Sequence, residues 1–176
     1  SMLAFQMASN VEEMKRVSKA LTILTDKAGI SGMIGGQIAD IEAEDMGEKV
    51  TEEQVLFIYE HKTAALIQSA MMIGAILAGA SEEDMLKIDK CAYNIGVAFQ
   101  IQDDILDITS SLEVLGKQVG SDDKNKKMTY VSIKGIEGAK QEVERLFNEA
   151  LAILETLELE NEFLEMLMKQ LITREK

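Results

Sequence analysis

The run Phe99-Gln100-Ile101-Gln102-Asp103-Asp104-Ile105-Leu106-Asp107 sets three aspartates inside an apolar pattern of helical spacing. Residues four apart stack on one helix face, so Asp103 and Asp107 point the same way while Asp104 stands to one side. Aspartate is a poor interior helix residue, and two carboxylates one turn apart repel. The flanking Phe99, Ile101, Ile105, Leu106 and Ile108 give them no compensation; a cation does. Magnesium takes hard oxygen ligands, keeps some of its waters and combines one or two carboxylates with substrate phosphate oxygens. Asp103, Asp104 and Asp107 are therefore candidate metal ligands, against the simpler reading of a solvated acidic patch. Working back from the aspartates, Phe99, Ile95, Cys91 and Ile88 keep helical spacing as far as Ser81, a hydroxyl cap followed by Glu82, Glu83 and Asp84. The predicted element is a buried rod that carries the aspartates toward its C-terminal end.

The rest of the composition agrees with helices throughout. The 176-residue chain is 47% hydrophobic and 5% aromatic, with no proline or tryptophan, and strands draw on aromatic and β-branched residues that are scarce here. The length suits one all-α domain over 1–176 with a substantial core. A formal charge of −13 excludes binding to a nucleic-acid backbone, which needs a basic face. It does not exclude diphosphate, which divalent cations and a few placed lysines bind locally. The single Cys91 rules out an internal disulfide, suits a cytoplasmic setting and reads as a core residue. The apolar run from Ala70 to Ala80 falls short of the roughly 20 residues that span a bilayer, so a buried helix without membrane insertion is expected.

In chain order, Met2 to Ala8 has helical composition but is short. Asn10 and Glu13 open a helix that Gly29 stops. A glycine-rich segment from about Ser31 to Met46 follows, in which Gly32, Gly35 and Gly36 admit either a close helix or a substrate chain. Thr51 and Gln54 form a capping pair for a long helix that runs without a breaker to Gly79. His61-Lys62-Thr63 lies on it. Lys62 is costly inside a bundle unless paired with an anion, or else it snorkels to solvent. Thr63 offers a hydroxyl, or bonds back to its own helix. His61 has no second histidine or acid at ligand spacing and reads as structural. Ser110 to Lys127 is predicted to be an irregular, lysine-containing stretch. Thr129 to Lys134 reads as a short helical segment ended by Gly135, and Gly138 to Leu157 and Asn161 to Thr173 as amphipathic helices.

Four ordered blocks carry a resemblance. They are Gly35-Gly36-Gln37-x-x-Asp40, His61-Lys62-Thr63, Phe99-Gln100-x-x-Asp103-Asp104-x-x-Asp107, and Leu115-Gly116-Lys117 with Gly120-Ser121-Asp122 and Lys127-Met128-Thr129-Tyr130. Together the chain resembles the C-terminal portion of the trans-type polyprenyl diphosphate synthases, the farnesyl and geranylgeranyl diphosphate synthase family. The resemblance implies an isoprenoid-synthase-like helical bundle lacking the N-terminal helices that bear the family's first aspartate-rich motif. It implies Mg2+-dependent head-to-tail prenyl transfer from an allylic diphosphate, dimethylallyl or geranyl, to isopentenyl diphosphate, with geranyl, farnesyl and geranylgeranyl products equally open. It also implies a homodimer. In that reading Asp103, Asp104 and Asp107 hold metal, Lys62 and Lys117 contact diphosphate, Thr63 and Gln100 orient, and Gln37 and Asp40 line the cavity. A truncated chain of this kind is expected to be inactive alone. The alternative is a non-catalytic regulatory subunit that dimerises with an active synthase.

Overall fold

The structure is a computed structural model that describes residues 11–114, 128–157 and 162–173. All described elements are helical. α1 (Val11–Ala28) ends at Gly29, as its sequence predicts, and a turn in which the Gly32 N–H bonds to the Gly29 carbonyl at 3.0 Å delays α2 (Met33–Met46) by two residues from the expected start. Thr51 caps α3 (Glu52–Ile58) with a reciprocal capping box: Gln54 N–H donates to Thr51 Oγ1, and Thr51 N–H to Gln54 Oε1 at 2.9 Å.

The predicted unbroken helix has a defect in its middle. Between α3 and α4 (Ala65–Ala78) lies a π-helical turn, Tyr59–Ala64, in which the Ala65 N–H reaches back five residues to the Glu60 carbonyl. Such turns insert one extra residue into the ladder and recur at functional sites. Gly79 closes α4 at φ 86, a left-handed value that glycine adopts without a Cβ clash.

Ser81 caps α5 (Glu82–Val114), its Oγ accepting the Asp84 N–H at 3.1 Å. The sequence reading ends this helix before Ser110, yet it continues to Val114. Thr109 donates its hydroxyl to the Ile105 carbonyl at 2.9 Å, so it is satisfied within the helix rather than breaking it. After Thr129 comes α6 (Tyr130–Glu155), which is interrupted by Gly135 at φ 73 where the sequence predicts a stop, and then α7 (Glu162–Thr173).

With 33 residues, α5 is the spine, about 50 Å long at helical rise. α6 lies along it, α4 and the π turn pack on it, α1 covers α4, and α2 packs against the π turn. The main core joins Val55, Ile58, Ala64, Val97, Ile101, Ile105, Val143 and Leu146. A second cluster joins Cys91, Ile95, Ala150 and Met168, so Cys91 is a core residue, as predicted. Two glycines press on the π turn from opposite elements. A Cβ on Gly36 of α2 would lie 2.2 Å from the Lys62 backbone nitrogen, and one on Gly96 of α5 would lie 2.4 Å from Ala64 Cα. Of the two uses proposed for the glycines around Gly36, close helix packing is the one observed there. No helix among the described residues is long and apolar enough to cross a membrane.

Candidate functional site

A cavity of about 390 Å³ opens where α2, the π turn, α5 and the start of α6 converge. Asp40 enters from α2, Tyr59 and Lys62 from the π turn, Gln100, Asp104 and Asp107 from α5, and Thr129 and Ser132 from the start of α6. Residues three apart share a helix face, which is how Asp104 and Asp107, and likewise Tyr59 and Lys62, reach one space. Spacing alone favoured Asp103 and Asp107 as the co-facing pair. In the fold Asp103 is half-buried on α5 and the cavity is lined by Asp104 and Asp107.

Each polar group has a defined neighbour. Lys62 Nζ donates to Asp40 Oδ2 at 2.6 Å. Asp40 is only 3% exposed, so the ammonium offsets a carboxylate that would otherwise be buried at high cost. Thr63 Oγ1 donates to Gln100 Oε1 at 2.9 Å, across to α5 rather than back to its own helix, and this fixes the Gln100 amide with its NH2 as the donor end. Tyr59 donates to Asp104 Oδ2 and accepts from the Tyr130 N–H at 3.1 Å. Burial, and then the Asp104 carboxylate, push the Tyr59 phenol well above its usual range, so it remains a donor. His61 stacks on Phe57 with ring centroids 3.9 Å apart and sets Nδ1 2.9 Å from the Phe57 carbonyl, consistent with a structural role.

Gln37 is half-buried one turn before Asp40 and is not among the residues lining the cavity. Lys117 lies outside the described residues. Sequence reasoning missed Tyr59, Thr129 and Ser132 as cavity residues, and the Asp40 to Lys62 pairing. The position of Tyr59 three residues before Lys62 was the available signal. Among the described residues the lining carries three carboxylates and one ammonium, groups suited to a cation bridging to an anionic ligand.

The polyprenyl synthetase family model matches residues 1–169. The chain belongs to that family. Among curated family members it is 42% identical over 159 residues to the farnesyl diphosphate synthase of Bacillus subtilis (strain 168), covering 89% of this chain and 53% of that relative. It is 44% identical over 134 residues to the geranylgeranyl diphosphate synthase of Cyanophora paradoxa, covering 76% and 44%. A crystal structure, the geranyltransferase of Helicobacter pylori complexed with magnesium and isoprenyl diphosphate, superimposes with a TM-score of 0.68 at 30% identity, over 90% of this chain and 51% of that one. The chain thus spans about half the length of the curated family members it matches.

Proposed function

We propose that this chain supplies one side of a magnesium-dependent prenyl-transfer site, in which an allylic diphosphate, dimethylallyl or geranyl, is joined head to tail to isopentenyl diphosphate. The observation that carries the reading is the convergence of Asp104, Asp107, Gln100 and the Lys62 to Asp40 pair on one cavity. Names of relatives and the magnesium and isoprenyl diphosphate in the Helicobacter pylori structure support it.

The donor set fits magnesium. It offers hard carboxylate oxygens from Asp104 and Asp107, with Asp103 beside them on α5. Among the described residues no three His, Cys, Asp or Glu side chains form a ready cage, which matches an ion that uses one or two carboxylates and completes its shell with phosphate oxygens and water. Magnesium, when bound, neutralises the charge that develops on the departing diphosphate. Lys62 contributes a further positive charge at the same oxygens, having been held at the cavity by Asp40. Gln100, fixed by Thr63, donates to the ligand from its NH2. Lys117, by the family match, is a closing diphosphate contact. Asp40 belongs to the wall nearest the reacting carbons, with Gln37 behind it one turn earlier on α2. In the transfer, the allylic C–O bond breaks with its electron pair leaving on diphosphate; the double bond of isopentenyl diphosphate then attacks the allylic cation, and a proton is lost.

A homodimer accords with the apolar residues Ile34, Ile38 and Ile41, spaced to share one face of α2 and each 45% exposed or more. The sequence holds one Asp-Asp-x-x-Asp, so the 176-residue chain is proposed to bind magnesium diphosphate without turning over prenyl substrates. The deciding experiment is calorimetric titration of the chain with inorganic pyrophosphate, with and without Mg2+, repeated on Asp104→Ala with Asp107→Ala. Magnesium-dependent binding that disappears in the double variant is the expected result. Binding that ignores magnesium, or survives the double variant, overturns the reading.

A further inference from the structure

Tyr59 begins the π turn and is 6% exposed. Phenylalanine would fill the same volume, but the hydroxyl is engaged twice, as donor to Asp104 Oδ2 on α5 and as acceptor from the Tyr130 N–H at the first residue of α6. That N–H belongs to a helical first turn, whose amides have no acceptor within their own helix. One oxygen atom therefore ties three elements together at the edge of the cavity, and one of the three groups is a carboxylate that lines it.

We propose that Tyr59 is the positioning residue for Asp104. It fixes the orientation of the carboxylate and couples it to the start of α6, where Thr129 and Ser132 also line the cavity, so that the two elements keep one spacing there. The inference rests on the magnesium diphosphate reading of the cavity. Tyr59 itself need not touch ligand or reacting atoms. A charge-assisted hydrogen bond to an ionised acceptor is among the stronger ones available in a protein, so losing it is expected to loosen the carboxylate more than the fold.

The test uses the 176-residue chain, titrated with inorganic pyrophosphate at fixed Mg2+, with amide hydrogen exchange read at Tyr130 and thermal unfolding as the structural control. Tyr59→Phe is expected to weaken magnesium-dependent pyrophosphate binding about tenfold and to speed Tyr130 exchange. In an Asp104→Asn background, whose residual binding rests on Asp107 and Lys62, the same substitution is expected to change affinity less than about twofold, because the pairwise term is already gone. Unchanged affinity in Tyr59→Phe, or the full loss repeated in the Asp104→Asn background, overturns the positioning role while wild-type binding leaves the reading of the cavity intact. Absence of binding by the wild-type chain sinks the reading of the cavity and this inference with it. Should Tyr59→Phe not fold, Asp104→Asn decides: the weaker acceptor frees Tyr59, and an unchanged Tyr130 exchange rate overturns the role.

Discussion

Lys62 Nζ and Asp40 Oδ2 meet at 2.6 Å between the π turn and α2, with the lysine side chain 35% exposed and the aspartate side chain 5%. The asymmetry matters, because removing either partner has a different cost. Lys62→Ala takes the ammonium away from a buried carboxylate, and the loss is expected to be about 2 kcal/mol, below that of a fully buried pair since the lysine is partly solvated. Adding Asp40→Asn to Lys62→Ala is expected to recover most of it. Thermal unfolding of the two variants checks this; a double variant no more stable than Lys62→Ala refutes it.

The glycine contacts around the π turn give a sharper comparison. Gly36→Ala and Gly96→Ala each force a Cβ to within 2.2 and 2.4 Å of backbone or Cα atoms, and each is expected to cost about 2 kcal/mol or more, or to displace the turn. Gly74, an exposed position inside α4, has nothing within 4 Å of its added Cβ, so Gly74→Ala is expected to stabilise by about 0.5–1 kcal/mol. Denaturant midpoints of the three variants measure the contrast directly.

Burial pushes the Cys91 thiol from 9.0 up to about 12. The native thiol therefore stays protonated while the unfolded one ionises above pH 9. Its contribution to stability is complete below pH 9 and is lost as pH rises toward 12. Cys91→Ala is expected to show a shallower alkaline decline in Tm than wild type, with Tyr59, Tyr93 and Tyr130, raised in the same direction by burial, adding to the remaining slope. An identical decline in both proteins counts against the assignment. In the native chain near neutral pH, alkylation of Cys91 is expected only through opening of the core.

If the α2 face is the dimer contact, Ile38→Glu, at a position 45% exposed, puts a charge into the interface at little cost to the monomer fold. Sedimentation velocity is expected to show a shift from dimer to monomer with Tm of the monomeric species nearly unchanged. A dimer that persists in Ile38→Glu with an unaltered dissociation constant rules out this face.

Much of the fold was legible because its helix ends carry their own chemistry: Gly29 and Gly79 stop helices and Thr51 and Ser81 start them, in the sequence and in the structure alike, while Gly135, read as a stop, only interrupts α6. The π turn was not legible, since one extra residue in a hydrogen-bond ladder leaves no mark on composition or apolar spacing. The run of α5 past Ser110 was missed because hydroxyl residues read as breakers, whereas Thr109 bonds to a carbonyl of its own helix. For the site, the aspartates and Lys62 stood out as charges set in apolar surroundings. Tyr59 did not, because a tyrosine in an apolar helix looks like packing, and its value lies in an acceptor and a donor 45 and 71 residues away. The Asp40 to Lys62 pair was hidden by distance along the chain in the same way.

The turn from Tyr59 to Ala64, held between Gly36 and Gly96, also sets a rule for how this stretch of chain can vary. Deleting a single residue there would restore the ordinary α-helical ladder and swing everything that follows by about 100° about the helix axis. Either Lys62 would keep the cavity while the buried face of α4 turned outward, or α4 would keep its packing while Lys62 left the cavity. The length of the stretch is not free to change: one miscounted residue separates the scaffold from the chemistry it supports.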